Sequence, residues 1–551
     1  MAKASPPRPM PARAADTHLA RFTAFAFLLG ALLLFHRVEL LSALDAQIGG
    51  GADPRLIHAI CEHWLQVFRG TANVASPHFF YPQQGTLGYT DAMLGHGAVY
   101  ALARGNGMEM FKAYNFMLVA TDALNVAAMT AFLRYSVRLR LPAAAFGAVL
   151  LAFNAAKMAQ IGHAQLQLLW PLPLALWSLV ACARRPRFGW ATLALGATFG
   201  ACIALEIWSS FYNGWFFCFW LLLGGLVALA QRETRTTLVH VLRHHWPAAL
   251  ACAAVLYACL LPFARIYQPV AEQLGWRSWD EVMTMLPQPL SYWSPSETSF
   301  VWGWLPRVFA QFKALPTPWE HHMAIGLLPW LAVLATLALS LRALVRREAN
   351  AAERWLLLLV ASALLLLLIP IRVGDASLWH WFFDHFPGAG AIRSVTRVIL
   401  VAALPIAIAA AVLLDRLLTR AHASGHPRAW TGALAGLALF AMVEQLSAMH
   451  GRVPVEERAQ IAAIAAQVDP ATCPAFFLRT PLGGKEPEID LQTLAMLAAM
   501  QAGVPTLNGY SGKYPYGWDL EKLRAPGYLD RVREWRARSG LRTPVCTAEL
   551  R

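Results

Sequence analysis

Eleven stretches of this chain are apolar for about the length a helix needs to cross a bilayer, roughly 20 residues. They run at 22–42, 113–133, 142–158, 168–183, 190–208, 213–230, 247–264, 323–341, 355–370, 398–416 and 430–448. Within hydrocarbon each backbone N–H and C=O must find its partner inside the chain, so such runs fold as helices. The expected fold is a mainly α, polytopic helix bundle. Composition agrees, since 57% of the 551 residues are hydrophobic and 14% are charged, whereas a water-soluble domain carries roughly a quarter charged residues.

The net charge of +14 reports topology and gives no reason to invoke nucleic acid. Basic residues cluster between the apolar runs: Lys3/Arg8/Arg13/Arg21, Arg134/Arg138/Arg140, Arg184/Arg185/Arg187, Arg232/Arg235/Arg243, Arg342/Arg346/Arg347/Arg354 and Arg416/Arg420/Arg428. With eleven spans and a cytoplasmic N-terminus, all six clusters fall on the cytoplasmic side, as the positive-inside bias requires. "HRVE" at 36–39 interrupts the first span and has to lie near its outer interface. A cleaved signal peptide is the competing reading of that span, but these polar residues separate the apolar run from any small-residue cleavage site.

The division that follows is a cytoplasmic tail at 1–21, a membrane domain at 22–448 and an outer domain at 449–551. Long loops at 43–112, 265–322 and 371–397 share the outer side. For a bacterial chain this means the inner membrane, with the C-terminus in the periplasm. Within the first loop, Leu56, Ile57, Ile60, Cys61, Trp64, Leu65 and Phe68 recur at helical spacing, with Arg55, His58, Glu62, His63, Gln66 and Arg69 opposite. That pattern predicts an amphipathic helix lying in the interface plane. Residues 91–104 form a second helical segment too short to cross. In the tail, 475–480 reads as a strand and 490–503 as a helix stopped by Gly503, giving a small α/β domain. Cys473 and Cys546 are the only cysteines of the tail; an oxidising compartment favours their pairing over two free thiols.

Several short strings then stand in a telling order: "ADPRL" at 52–56, "FYP" at 80–82, "GHAQLQ" at 162–167, "IRSVTR" at 392–397 and "NGYSG" at 508–512. In this order they resemble a group of bacterial membrane proteins of the GT-C type. The wider arrangement, a first span followed by a long outer loop with an acid near its start and then many spans, is similar to the GT-C superfamily of membrane glycosyltransferases. The one departure is alanine in place of glycine before Asp53, which leaves the acid intact. The resemblance implies an enzyme that moves a hexosyl or pentosyl group, with inversion, from a polyprenyl-phosphate donor to an acceptor on the outer face. The sugar and the acceptor (glycan, lipid or protein) stay open.

By the same resemblance Asp53 is the general base that deprotonates the acceptor hydroxyl. Asp91 is a second acid that binds a divalent cation, Mg or Mn, or orients the acceptor; if a metal is held, Asp53 and Asp91 are its ligands. Each acid has a plainer reading as a helix N-cap, and for Asp53 the following Pro54 strengthens it. His163 is read as a phosphate or metal ligand against a satisfied polar residue, with Gln165 and Gln167 placed to bond sugar hydroxyls. Glu206 lies inside an apolar span, where an ionisable group needs a cavity or a partner. Arg393 and Arg397 stand before a span on the outer side, where a guanidinium can bond two phosphate oxygens; headgroup anchoring is the alternative. Tyr510, Tyr514, Tyr516 and Trp518 are read either as stacking on sugar rings or as an interfacial aromatic belt, the belt being the expectation. "EHH" at 320–322 lacks zinc-site spacing, and no nucleotide fingerprint stands out. A GT-C-shaped assembly factor without catalysis, a transporter of lipid or glycan, and a surface-polysaccharide polymerase or ligase remain as rival readings.

Overall fold

The computed structural model describes residues 18–481 and 486–550. Lys3, Arg8 and Arg13, with most of the expected tail at 1–21, lie outside them. Among the described residues ten helices are long and apolar enough to cross a membrane, and the chain is a multi-pass membrane protein. The eleventh expected span is Pro427–Val443, apolar but only 17 residues long. The first span sits further toward the N-terminus than expected: His18–Phe35 stops at "HRVE", and a short helix Arg37–Leu41 follows. The expected span at 247–264 is the second half of a 43-residue helix, Arg232–Leu274, bent at His245. Pro247 follows the bend, where a proline without an N–H costs least.

Three of the basic clusters meet at one end of the bundle. Arg354 pairs with Glu233 at 2.8 Å and Arg416 with Glu353 at 3.0 Å. The centre is the helix within Val395–His422, buried without interruption from Val398 to Ala411. Small residues let its neighbours approach. A Cβ added at Gly147 would stand 2.8 Å from the Ala411 Cβ, the kind of contact by which membrane helices attract one another without a hydrophobic driving force.

The expected span at 142–158 is broken. Leu141–Ala152 ends at Phe153, Asn154 caps a short helix Ala155–Ala159, and 160–170 is irregular around a single 3₁₀ turn, Ala164–Gln167. Irregular backbone at this depth is tolerated only where side chains satisfy it. Asn125 Nδ2 donates to the Gln167 carbonyl at 2.8 Å while the Leu169 N–H donates to Asn125 Oδ1 at 2.9 Å. Asn213 Nδ2 donates to the carbonyls of Leu166 and Leu168, and Gln167 Nε2 to that of Gln160. Beside the turn, Lys157 is wholly buried and its Nζ lies 2.6 Å from Asp122 Oδ1. Asp122 also bonds Asn125 and His36. A buried pair of this kind is retained only with such additional hydrogen bonds.

The tail has its expected elements. Phe476–Arg479 pairs in parallel with Cys546–Glu549, the helix Glu488–Ala502 ends at Gly503 with φ 67°, and Cys473 is disulfide-bonded to Cys546. It shares one hydrophobic core with the loop at 43–112, in which Leu56, Ile60 and Trp64 pack with Leu494, Leu497 and Trp535. A two-residue ladder, Gln47–Ile48 with Gly451–Arg452, joins the two stretches again. The helix Ala52–Phe68 therefore differs from the surface helix that its pattern predicts. Both faces are covered from Leu56 to Leu65. The buried polar face finds protein partners in place of water: Glu62 accepts from Arg104 Nε at 2.7 Å and from the Tyr100 hydroxyl, and His63 Nε2 lies 3.0 Å from the Val74 carbonyl.

Candidate functional site

The ladder at 47–48 delivers the chain into Gly49, Gly50 and Gly51. Gly49 and Gly51 have φ of 78° and 103°, which a side chain would resist, and a Cβ at Gly49 would meet the Gly162 backbone at 3.9 Å. This turn sets the start of the helix Ala52–Phe68 against the irregular segment at 160–170. Gly51 is the N-cap, so Asp53 stands inside the first turn and the capping role open in the sequence does not apply. Its oxygens have other partners. Oδ1 accepts from the Tyr510 hydroxyl at 2.7 Å, and Oδ2 lies 3.3 Å from His163 Nε2. Burial works to raise the Asp53 carboxyl, but the hydrogen bonds from His163 and Tyr510, helped by the charges of His163 and Arg397, bring it down to about 2.

Asp91 is not the cap of its own helix either, because Met93 is. Asp91 Oδ1 accepts from the Phe211 N–H at 3.0 Å, at the start of the helix Phe211–Ala230, where a carboxylate is favoured by the exposed N–H groups. Burial raises the Asp91 carboxyl above the usual range, and the Phe211 amide and the charges of Arg397 and His163 offset this only in part. The same charges act on both acids, so Asp53, Asp91, His163 and Arg397 form one electrostatic cluster. Gln165 belongs to it and is buried, with no partner for its carbonyl.

The two arginines part company. Arg397 is 6% exposed and grips Glu320 with two bonds, NH2–Oε1 at 2.9 Å and Nε–Oε2 at 3.3 Å, while its guanidinium lies 5.0 Å from the Tyr212 ring centroid. Burial would raise Glu320, but Arg397 wins and holds it below the ordinary range. Arg393 is 36% exposed and only 3.4 Å from Glu281, which Arg277 also approaches at 3.4 Å. Arg277 NH2 donates to the Gly512 carbonyl at 2.9 Å, and Lys513 Nζ donates to that of Gly275. Two cations thus share one carboxylate at the rim, with Lys513 near it, in an arrangement built from the end of a long helix, the arginine turn and the tail.

Glu206 is fully buried and its neighbour is Asn213, which holds the 166–168 carbonyls. Of the four aromatic residues, Tyr510 bonds Asp53, and Tyr514 stacks on Trp518 beside Phe80. Tyr516 is the exposed one, at 87%. Glu320, Glu281, Tyr212, Arg277 and Lys513 carried no signal in the sequence beyond "EHH". A metal held by Asp53 and Asp91 finds little support in the donor set. Three of their oxygens have protein partners, and among the described residues no group of three or more His, Cys, Asp or Glu is placed to hold an ion.

No protein-family profile matches this chain, and no curated protein does. Solved structures do. The archaeal oligosaccharyltransferase AglB from Archaeoglobus fulgidus, solved with an inhibitory peptide and a dolichol-phosphate, superposes with a TM-score of 0.51 at 12% identity over 90% of this chain and 65% of its own. The chain therefore spans somewhat less than two thirds of that enzyme. ArnT from Cupriavidus metallidurans, bound to undecaprenyl phosphate, gives a TM-score of 0.44 at 14% identity, covering 89% of this chain and 84% of its own. The fold is of the GT-C type that the sequence strings led one to expect.

Proposed function

We propose that the protein is a membrane glycosyltransferase that takes a sugar from a polyprenyl-phosphate donor and passes it, with inversion, to an acceptor hydroxyl at the Asp53 site. The observation that carries this is the convergence of Asp53, Asp91, His163 and Arg397 from four distant segments, beside a rim where Arg277 and Arg393 share Glu281 with Lys513 near it. In this reading the rim takes the lipid phosphate, Arg393 being the arginine free to turn toward it. Asp53 accepts the acceptor's proton as the acceptor oxygen bonds to the anomeric carbon. The anomeric carbon–oxygen bond to phosphate breaks in the same step, and the lipid phosphate leaves as the anion.

A carboxylate held near 2 is a weak base at neutral pH. The donor eases that mismatch, because its phosphate brings a negative charge near Asp53, and a nearby anion raises a carboxyl. Support for a lipid-linked donor comes also from the fold shared with AglB, which was solved with a dolichol-phosphate. The expected sidedness, with the site in the periplasm of a bacterial inner membrane, is part of the proposal.

One observation favours a second reading, a catalytically inactive envelope assembly factor: both oxygens of Asp53 already have partners. Protein reconstituted in liposomes with undecaprenyl-phospho-hexoses separates the two. If Asp53 is the base, Asp53→Asn folds normally and loses on the order of 10² to 10⁴ of the transfer rate. Equal transfer by the variant removes Asp53 from the chemistry.

A further inference from the structure

The strongest contact to Asp53 comes from the far end of the chain. Tyr510 lies in "NGYSG", and nothing regular surrounds it, yet its neighbours are fixed on both sides. The Phe80 N–H donates to the Asn508 carbonyl at 2.9 Å and the Tyr81 N–H to that of Thr506 at 3.0 Å. A Cβ at Gly509 would press on the Phe80 ring at 2.3 Å, so only glycine admits this approach. From the tail side, the Leu507 N–H donates to the Phe476 carbonyl, Leu478 N–H to Asn508 Oδ1, and Gln492 Oε1 accepts from the Gly509 N–H. Beyond Tyr510, Gly512 accepts from Arg277. The phenol is thus held by the tail's own strand and helix and by the loop at 78–82.

We infer that Tyr510 is a positioning residue of the transfer site: its hydroxyl pins Asp53 Oδ1, so that Oδ2, the oxygen beside His163, is the one that receives the acceptor's proton. Resting on the function proposed above, this makes the C-terminal domain a component of the reacting centre. A carboxylate at the start of a helix can rotate about χ1 and χ2, and one donor on each oxygen removes that freedom before the acceptor arrives. The Asp53 side chain is 43% exposed, which leaves room for a hydroxyl to approach. In the step, the acceptor O–H bond breaks and its proton goes to Oδ2. The new bond forms between acceptor oxygen and anomeric carbon, and the lipid phosphate departs with the electron pair of the broken glycosidic bond. Tyr510 neither gains nor loses a proton.

Tyr510→Phe keeps the ring and removes the hydroxyl. Release of undecaprenyl phosphate from a panel of undecaprenyl-phospho-hexoses, normalised to folded protein by size exclusion, is expected to show kcat reduced roughly ten- to a hundredfold, the range for a hydrogen bond to a charged group. The donor KM should stay within about twofold, as for an interaction that acts on the chemical step and not on donor binding. Tyr516→Phe, exposed and away from Asp53, should match the wild type. A kcat per folded molecule within twofold of wild type in Tyr510→Phe overturns the inference, as does a rise in KM alone. If Asp53→Asn is inactive while Tyr510→Phe is unimpaired, this inference fails and the function stands; if Asp53→Asn is fully active, the function fails first. Should no hexose in the panel be turned over, the structure of Tyr510→Phe decides. A carboxyl that swings away from His163 supports the inference, and an unmoved one overturns it.

Discussion

The floor and the rim of the site hold their charges in opposite ways. On the floor, Arg397 and Glu320 are 6% and 4% exposed and bonded twice to one another, and Asp91 is tied to a helix N-terminus. On the rim, Arg393 and Glu281 are each about a third exposed, 3.4 Å apart, with Arg277 and Lys513 alongside. A charge taken out of water must be matched within the protein, so the floor is neutralised internally and rigid. Charges left in water keep their hydration and can exchange partners. In the proposed function this makes Arg397, for all its place at the centre, the residue that shapes the field of the site, and Arg393 the one that binds.

Mutations can break this contrast. The largest effect is expected for Glu320→Gln, which strands Arg397 in the interior at a cost of about 3–5 kcal/mol. Thermal unfolding in detergent, or loss of folded protein on size exclusion, reads it out. Glu281→Gln, its rim counterpart, should cost at most about 1 kcal/mol; similar losses for the two would erase the distinction. Next, Arg393→Ala should raise the donor KM by roughly tenfold, or about 1.4 kcal/mol, with little change in melting temperature. If it lowers kcat and leaves KM alone, the rim is not where the donor's phosphate rests.

The smallest effect is the most discriminating for Asp91. Its carboxyl is raised by burial, so in the folded state it holds its proton to a higher pH than in the unfolded chain. That contribution to stability is present below the ordinary aspartate value, roughly 3.9, and is lost as pH rises through the folded value. Asp91→Asn keeps an oxygen for the Phe211 N–H without the charge, so it should raise the melting temperature slightly at pH 7 and flatten its decline above pH 4. A variant that becomes more stable and less active marks Asp91 as retained for function; one that becomes less stable contradicts the electrostatic account.

Much of the architecture was legible because membrane spans announce themselves by length and composition. The helix at 52–68, the tail strand and helix, and the Cys473–Cys546 pair were readable for similarly local reasons. Asp53, His163, Gln165 and the arginine turn stood out through short strings, and Asp91 as a second acid of the outer loop. The rest was hidden because it consists of meetings. Glu320 lies 77 residues from Arg397, and Tyr510 lies 457 from Asp53; neither separation has a period that a pattern could reveal. The polar face of the helix at 52–68 misled for the same reason. Hydrophobic periodicity distinguishes apolar from polar, but it cannot tell a face turned to water from one turned to Arg104 and the tail.

The central claim is that the rim beside Asp53 receives a polyprenyl-bound phosphate. It is tested most directly by measuring the melting temperature of purified protein with undecaprenyl phosphate and with undecaprenol, in wild type and Arg393→Ala. The account predicts that the phosphate stabilises the wild type, that the uncharged alcohol does so much less, and that Arg393→Ala removes most of the difference. Equal stabilisation by the two lipids, or a full phosphate effect in the variant, would contradict it.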